Sequence, residues 1–446
     1  MKAIMITAPS SNSGKTTVTT GIIRALENRG MYVNPYKTGP DFIDGKFLSM
    51  AAGARAGNLD LHLQGFEGTR EAFSMGDGEI AIIEGVMGYF DGASNTWENS
   101  SYDISKRFDI PAVLVYTPKG EMFSAIPKIK GMAEFGDSRI RAVILNKTSR
   151  RMYEMLREAI ELNTDLAVIG HIPYDGDLVI ESESLGLLEP GRIAGVEDKI
   201  SRMASLVEEN LDLDKLLDLA GEVRTSGDVG YGRTNTRVAV AMDDAFSFHY
   251  RENLEILQSL ADVVSFSPLY DQELPDADLV ILGGGYPEKF KEKLSGNRSM
   301  LDSLRYYVNG GGHILAEGGG MMYLMETLDG VEMCGLLKGD ASTTDKLERF
   351  GYVEIQIRKD CILGPAGTVI PANEFHKSRV ENTAEPIFQV KKAFGEESWT
   401  CGYGRRNVLG YYQHINLAGK RELFRKMLQS IKDGGIGNVY EKPHEN

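Results

Sequence analysis

Short apolar runs alternate with segments of helical periodicity through the first half of the chain. The runs occupy residues 3–6, 31–33, 80–83, 112–116, 142–145 and 167–170. Such an alternation predicts the strands of a parallel sheet that is covered by helices. Ligands of parallel sheets collect at the carboxyl ends of the strands, so the polar residues that follow these runs are the first candidates for a functional site.

The second half of the chain begins after a change in composition. Residues 221–236 are rich in Gly, Thr and Ser and lack periodic apolar positions, which predicts a linker. Beyond them, apolar runs at residues 238–241, 279–282 and 313–316 predict a second α/β domain. Because 446 residues exceed the size of one ordinary core, we predict two domains, at residues 1–220 and 237–446.

The segment between the first run and the first helical pattern is typical of a phosphate-binding loop. It ends in Gly14-Lys15-Thr16, the close of the phosphate-loop motif, although Pro9 stands where the standard spacing has its opening glycine. A loop at this position directs backbone N–H groups and a helix N-terminus at one anion. Lys15 would reach the β- and γ-phosphates, and the Thr16 hydroxyl would bind Mg²⁺.

The alternative for this segment is a Ser- and Gly-rich turn that caps a helix. A lysine at a helix start is unfavourable unless an anion is bound, which favours the phosphate loop. The residues predicted to bind the nucleotide here are Asn12, Ser13, Gly14, Lys15, Thr16 and Thr17.

Charged residues follow two other apolar runs. Lys37 and Asp41 come after the second run, and Glu84 comes directly after the third. An acidic residue at the end of an apolar strand is the usual Mg²⁺ partner of a phosphate loop, and Mg²⁺ takes one or two carboxylates together with phosphates. We therefore predict Thr16, Asp41 and Glu84 as metal ligands, although each carboxylate by itself is also typical of a solvated loop. Asn146 ends a later run, where it could hydrogen-bond a purine edge or belong to a plain turn.

Composition narrows the class of protein. A formal charge of −15 argues against general nucleic-acid binding, which needs a basic surface. The three cysteines lack metal-ligand spacing and are too few for a disulfide framework, so we expect a reducing cytoplasm. Neither a signal peptide nor an apolar run of about 20 residues is found, so no membrane association is expected.

Taken together, these motifs resemble the cobyrinic acid a,c-diamide synthase family over nearly the whole chain. More distant similarity is to the cobyric acid and dethiobiotin synthetases. The matching segments are Ser11-Asn12-Ser13-Gly14-Lys15-Thr16-Thr17, Lys37-Thr38-Gly39-Pro40-Asp41-Phe42-Ile43-Asp44, Asn58-Leu59-Asp60, Glu84-Gly85-Val86-Met87-Gly88, Gly283-Gly284-Gly285-Tyr286-Pro287-Glu288, Asn297-Arg298 and Glu374-Phe375-His376.

The resemblance implies an ATP-dependent ligase in cobalamin biosynthesis. Its first domain, similar to dethiobiotin synthetase, would use ATP and Mg²⁺ to phosphorylate the a- and c-side-chain carboxylates of cobyrinic acid, and ammonia would then displace phosphate. Lys15 and Lys37 would offset phosphate charge. Asp44 and Asp60 are implied to lie near the substrate or the acyl phosphate, and Asn146 with Lys147 to flank the adenine. The resemblance leaves a homodimer open.

The second domain resembles a class I glutamine amidotransferase, but it departs from that pattern at the nucleophile. The family pattern Ala-Glu-Cys-Gly-Gly is replaced by Ala316-Glu317-Gly318-Gly319-Gly320. Gly318 cannot form a thioester, so the partner histidine, identified as His414, has no thiol to activate. We therefore expect free ammonia as the nitrogen donor, or a separate protein as the source of ammonia, rather than glutamine used by this chain. Cys401 is the least implausible substitute nucleophile, although it does not lie in a nucleophile elbow.

Other functions remain open at this point. Glu183-Ser184 stands where the family has Arg-His, which weakens the assignment to cobyrinate and leaves Ni-sirohydrochlorin of coenzyme F430 biosynthesis as an alternative tetrapyrrole. A nucleotide-switch ATPase of the MinD or ParA type is a second alternative, but Ser10 replaces the signature lysine of that class. A non-catalytic tetrapyrrole-binding homologue is a third, against which Lys15, Thr16 and Glu84 argue.

Overall fold

The structure of the protein is a computed structural model that describes residues 1–178, 182–183, 186–187, 193–224, 232–381, 384–405 and 407–434. The chain divides into two compact units. The first comprises Met1–Leu61 and Gly65–Asp228, and the second comprises His62–Gln64 and Val229–Asn446. Within the described residues, no helix is long and apolar enough to cross a membrane.

A parallel sheet forms the centre of the first unit, with strand order β3-β2-β4-β1-β5-β6-β7. The strand β10 pairs with β1 in the antiparallel direction, and β8 and β9 form a separate pair. The strands of residues 1–224 are β1 (Lys2–Thr7), β2 (Val33–Thr38), β3 (Gly57–Leu59), β4 (Ile80–Glu84), β5 (Ala112–Tyr116), β6 (Ile140–Asn146), β7 (Ala167–Ile172), β8 (Ser182–Glu183), β9 (Gly186–Leu187) and β10 (Gly221–Glu222).

Helices cover this sheet. They are α1 (Lys15–Asn28), α2 (Asp44–Ala52), α3 (Leu61–Ser74), α4 (Ser101–Arg107), α5 (Ala125–Glu134), α6 (Arg150–Asn163), α7 (Val196–Asn210) and α8 (Leu213–Asp218). The strands are buried along almost their whole length, as expected for a parallel sheet with helices on its faces. A core that includes Ile6, Ile22, Val113, Ile144 and Ile200 is entirely or almost entirely inaccessible to solvent.

The strand β2 differs from the sequence prediction. The apolar run at residues 31–33 contributes only Val33, and the strand continues to Thr38 through Lys37, whose side chain is buried. Lys37 can occupy this buried strand because it lies in register with Glu84 of the neighbouring strand β4. Opposite charges at paired positions allow a lysine to be buried.

The described residues of the second unit form three sheets. One is a mainly parallel six-stranded sheet of order β12-β11-β13-β14-β24-β23, one is an antiparallel sheet of order β22-β21-β18-β19-β25, and the third has order β16-β15-β17-β20. The strands are β11 (Arg237–Ala241), β12 (Asp262–Phe266), β13 (Leu279–Leu282), β14 (His313–Glu317), β15 (Thr327–Leu328), β16 (Val331–Glu332), β17 (Asp340–Thr343), β18 (Arg349–Ile357), β19 (Val369–His376), β20 (Ser378–Glu381), β21 (Phe388–Lys392), β22 (Ser398–Cys401), β23 (Tyr403–Arg405), β24 (Val408–Tyr411) and β25 (His414–Ile415).

Five α-helices accompany these sheets within the described residues. They are α9 (Arg251–Leu260), α10 (Lys291–Gly296), α11 (Arg298–Asn309), α12 (Gly319–Leu324) and α13 (Arg421–Lys432). The short helix α12 begins directly after the strand β14, so the chain turns sharply at Gly318.

Two parts of the sequence prediction fall partly outside the described residues. Of the predicted linker at residues 221–236, Gly221 and Glu222 form the strand β10, whereas residues 225–231 lie outside the described part of the chain. Ser184, at the position where the family has histidine, also lies outside it.

Candidate functional site

The predicted phosphate loop connects the strand β1 to the helix α1. Gly14 precedes the helix with φ 85° and ψ 20°, a left-handed conformation that favours glycine. A Cβ atom at Gly14 would lie 2.3 Å from Nδ2 of Asn146, so a side chain at this position would displace Asn146. The same Nδ2 atom donates a hydrogen bond to the carbonyl oxygen of Ser13, at 2.9 Å. Asn146 thus supports the loop, and its contact with a base stays a prediction.

Lys15 is buried at the start of α1. Its Nζ atom donates hydrogen bonds to the carbonyl oxygens of Met87, at 2.5 Å, and of Ser10, at 3.2 Å. Burial of the ammonium group, together with the charge of Lys37, lowers the pKa of Lys15 to about 8. The sequence reasoning missed both carbonyl partners, because backbone oxygens leave no signal in residue type.

A buried cluster of charged side chains surrounds Glu84, the last residue of β4. Its Oε1 atom accepts hydrogen bonds from Thr16 Oγ1, at 2.7 Å, and from Lys37 Nζ, at 2.9 Å. Lys37 Nζ also donates to Asp44 Oδ2, at 2.7 Å. Burial acts to lower the pKa of Lys37, but the carboxylates of Asp44 and Glu84 outweigh it and raise that pKa, so Lys37 carries its charge.

Glu84 offers an oxygen that fits a divalent cation. Its Oε2 atom is buried, and it has no hydrogen-bond partner in the described part of the chain. A buried carboxylate oxygen without a partner is costly unless a ligand satisfies it. Because Thr16 Oγ1 lies 2.7 Å from the other oxygen of this carboxylate, the two residues together can supply two oxygen ligands of the kind that Mg²⁺ prefers.

Asp41, the other predicted metal ligand, lies in the turn between β2 and α2. Its Oδ1 atom accepts hydrogen bonds from the backbone N–H groups of Ile43, at 2.8 Å, and Asp44, at 3.0 Å. Burial, with the nearby charge of Asp44, raises the pKa of Asp41 to about 7. Burial opposes ionisation of Asp44 too, but Lys37 outweighs it and lowers the pKa of Asp44.

Asn58 supports the same turn. Its Nδ2 atom donates to the carbonyl oxygens of Gly39, at 2.8 Å, and Asp41, at 3.0 Å. Asp60, which follows β3, is also buried. Asn58 and Asp60 thus belong to a buried polar segment beside Lys37, with which Asn58 is in register across the β2–β3 pair.

The remaining predicted nucleotide-binding residues line the loop and its neighbourhood. Asn12 is exposed with φ 61°, Ser13 Oγ donates to the carbonyl oxygen of Ser10 at 2.9 Å, and Thr17 is half-buried in the first turn of α1. Lys147 is exposed after β6, with φ 53°. Hydrogen bonds thus connect Thr16, Lys37, Asp44 and Glu84 into one cluster. Lys15 lies close enough to this cluster to interact electrostatically with Lys37 and Glu84.

In the second unit, Gly318 forms a sharp turn from a strand into a helix. Gly318 has φ 49° and ψ −110° between β14 and α12, a conformation that side-chain-bearing residues rarely adopt. A Cβ atom built there would lie 3.1 Å from Cε1 and 3.3 Å from Nε2 of His414. His414 Nδ1 is 3.6 Å from Glu317 Oε2, and the Tyr411 hydroxyl donates to Glu317 Oε1 at 3.1 Å.

The three cysteines are buried thiols. Burial raises the pKa of Cys334 to about 12, of Cys361 to about 11 and of Cys401 to about 12. Cys401 ends the strand β22, in register with Phe388, and not at a strand-to-helix turn. A thiol with so high a pKa is a poor nucleophile near neutral pH.

Comparisons with known proteins agree with this two-part architecture. Residues 4–187 match the CobQ/CobB/MinD/ParA nucleotide binding domain, and residues 237–422 match the CobB/CobQ-like glutamine amidotransferase domain. A protein of Clostridium tetani named cobyrinate a,c-diamide synthase is 38% identical over 96% of this chain and 100% of its own length.

Two further relatives carry the same name. That of Clostridium acetobutylicum is 39% identical over 96% of this chain and 100% of its own length. That of Methanocaldococcus jannaschii is 37% identical over 93% of this chain and 96% of its own length. With this identity along almost the full length of both chains, the chain belongs to the cobyrinate a,c-diamide synthase family.

Proposed function

We propose that this protein uses ATP to convert the a- and c-side-chain carboxylates of cobyrinic acid into amides, with free ammonia as the nitrogen donor. The observation that carries the proposal is the cluster of Lys15, Thr16, Lys37 and Glu84 around the phosphate loop. We infer the substrate from the name that the relatives carry. We infer ammonia as the donor because glycine occupies position 318, where a glutaminase of this class has its cysteine.

The first step is transfer of the γ-phosphoryl group of ATP to a substrate carboxylate. A carboxylate oxygen attacks the γ-phosphorus, the bond from this phosphorus to the bridging oxygen breaks, and ADP leaves. Two anions must meet in this step, so positive charge at the reacting centre lowers the barrier. Lys37, kept charged by Asp44 and Glu84, supplies that charge from a buried and fixed position.

Lys15 contributes to the same step from the other side of the loop. Its present partners are two carbonyl oxygens, of Ser10 and Met87. Phosphate oxygens would compete with them for Lys15 because phosphate carries a negative charge, whereas a carbonyl group is neutral. Thr16 and Glu84, with Asp41 as a further candidate, would hold Mg²⁺, which neutralises phosphate charge when bound. Asn146 and Lys147 would flank the adenine, while Asp44 and Asp60 would lie on the substrate side.

The second step is attack of ammonia on the acyl phosphate. The nitrogen lone pair forms the C–N bond, the bond from the carbonyl carbon to the phosphate oxygen breaks, and inorganic phosphate leaves together with one proton from nitrogen. A glutaminase would supply this ammonia through a cysteine thiolate. Gly318 has no thiol, and His414 beside it therefore has no nucleophile to activate.

Amide formation tests the proposal directly. Cobyrinic acid is incubated with MgATP and either ammonium chloride or glutamine, and the product is identified by mass spectrometry. We expect diamide with ammonium and none with glutamine. Equal rates with glutamine would refute the assignment of ammonia, and absence of product with both donors would refute cobyrinic acid as the substrate.

A pair of variants links the activity to the cluster. Thr16→Val removes the hydroxyl that contacts Glu84 at nearly constant volume, so product formation should fall by at least about 100-fold. Thr400→Val makes the same change at an exposed strand position in the second unit and serves as the matched control. Equal activity of the two variants would contradict the role of Thr16.

A further inference from the structure

The sheet order determines the direction in which a nucleotide lies on the first unit. The groups that suit the terminal phosphates, Lys37 on β2 and Glu84 on β4, lie to one side of the phosphate loop that follows β1. The strands β5, β6 and β7 lie on the other side. A nucleotide whose terminal phosphate reaches Lys37 and Glu84 therefore extends its nucleoside over the ends of β5 to β7.

The ends of β6 and β7 form one corner beside the loop. Asn146 at the end of β6 contacts Ser13, and Thr117 after β5 donates from Oγ1 to the same Ser13 carbonyl, at 3.2 Å. The backbone N–H of Thr148 donates to the carbonyl oxygen of Ile172 at 3.0 Å, which joins the segment after β6 to the end of β7. Residues directly after β7 are thus held at the edge where the nucleoside must lie.

Tyr174 is an exposed aromatic residue in the segment that follows β7. It follows β7 by two residues, and 68% of it is exposed to solvent. The turn behind it is held by Asp175, whose carboxylate accepts from the backbone N–H of Asp177, at 3.0 Å, and pairs with Arg202 at 3.1 Å. An aromatic ring presented to solvent from a hydrogen-bonded turn suits stacking on a planar ligand, because little conformational freedom is lost on binding.

We propose that Tyr174 stacks on the base of the nucleotide and contributes to its affinity. This inference rests on the proposed function, which supplies ATP as the ligand. Every base has a π-face, so the ring strengthens binding without selecting adenine, which is left to hydrogen-bonding groups. Loss of one base–aromatic stack should weaken ATP binding by about 10-fold, within the range that such stacks contribute.

Titration calorimetry with MgATP on the full-length protein tests this role. Tyr174→Ala should raise the Kd for ATP by about 10-fold, and Tyr174→Phe, which keeps the ring, should stay within about two-fold of the unchanged protein. Tyr306→Ala removes a ring that is 83% exposed on α11 of the second unit and serves as the matched control. It should leave the Kd unchanged.

Inorganic triphosphate has no base, so its binding reports on the phosphate loop alone. Comparing it with ATP distinguishes loss of stacking from damage to that loop. The Kd for triphosphate should be the same for the unchanged protein and for Tyr174→Ala. A Kd for ATP within about two-fold in Tyr174→Ala, or an equal loss of ATP and triphosphate binding, would overturn the assignment while leaving the proposed function intact. Failure of the unchanged protein to bind ATP would overturn the proposed function and the role of Tyr174 with it.

Discussion

Replacing Gly318 by cysteine tests whether the second unit lacks only a nucleophile. The backbone at this position has φ 49° and ψ −110°, and holding a side-chain-bearing residue in such a conformation costs about 1–3 kcal/mol. The new Cβ atom would also lie 3.1 Å from Cε1 of His414, so the imidazole ring must move by a few tenths of an ångström. Gly318→Cys should therefore fold, but with lower stability.

The loss of stability can be followed by calorimetry. For a unit of this size, 1 kcal/mol corresponds to about 2–4 °C in Tm, so the transition of the second unit should fall by about 2–12 °C. Gly318→Ala adds the same Cβ atom without a thiol and should show a similar fall. Unchanged Tm values in both variants would refute the argument from backbone strain.

The glutaminase activity expected of Gly318→Cys is measured as release of glutamate from glutamine. A thiol at position 318 would face the imidazole of His414, whose Nε2 lies 3.3 Å from the Cβ position, so a proton acceptor is already beside it. We expect glutamate release from Gly318→Cys, and none from the unchanged protein or from Gly318→Ala. Adding His414→Ala to Gly318→Cys should abolish it. Glutamate release by the unchanged protein at the rate of Gly318→Cys would refute the reasoning.

Two further predictions concern buried charged and titratable groups. Glu84→Gln removes the charge of a buried partner of Lys37, so denaturant titration should show a free energy of unfolding lower by about 3 kcal/mol. The same variant should form no amide product. Unchanged stability together with unchanged product formation would contradict the role of Glu84. Because burial raises the thiol pKa of Cys334 and Cys401 to about 12 and that of Cys361 to about 11, less than about one thiol in a thousand is ionised at pH 8. Ellman's reagent should therefore detect no fast-reacting thiol in the native protein at pH 8. The labelling rate should rise with pH as thiolate forms, and all three cysteines should react after unfolding. Rapid labelling of Cys401 in the native protein would contradict this prediction and make Cys401 a candidate nucleophile again.

Much of the first unit could be predicted because its signals are local. A strand that is buried on both faces must be apolar along its length, and the runs at residues 80–83 and 112–116 lie within β4 and β5. The phosphate loop is equally local, since a strand, a glycine-containing turn and a helix follow one another within a few residues. The family resemblance, carried by short ordered motifs, is confirmed by relatives of the same family.

Contacts between residues that are distant in the chain could not be predicted in this way. The strand β2 carries Asn34, Pro35 and Lys37, which break the apolar pattern, and it is recognisable only when Lys37 is seen beside Glu84. The antiparallel sheet that contains β18 and β19 left no continuous apolar run for a different reason. Only alternate residues are buried from Val353 to Ile357 of β18, so polar residues separate its apolar ones.

The same distinction applies to the functional residues. Lys15, Thr16 and Glu84 could be nominated from the sequence because Gly-Lys-Thr follows one apolar run and an acidic residue ends another, a combination typical of phosphate and Mg²⁺ sites. Their charge states and partners depend on burial and on groups brought close by folding, such as the Met87 carbonyl that receives Lys15. Tertiary structure decides these because pKa values and hydrogen bonds respond to three-dimensional distance and solvent exclusion, and neither is encoded in the identity of neighbouring residues.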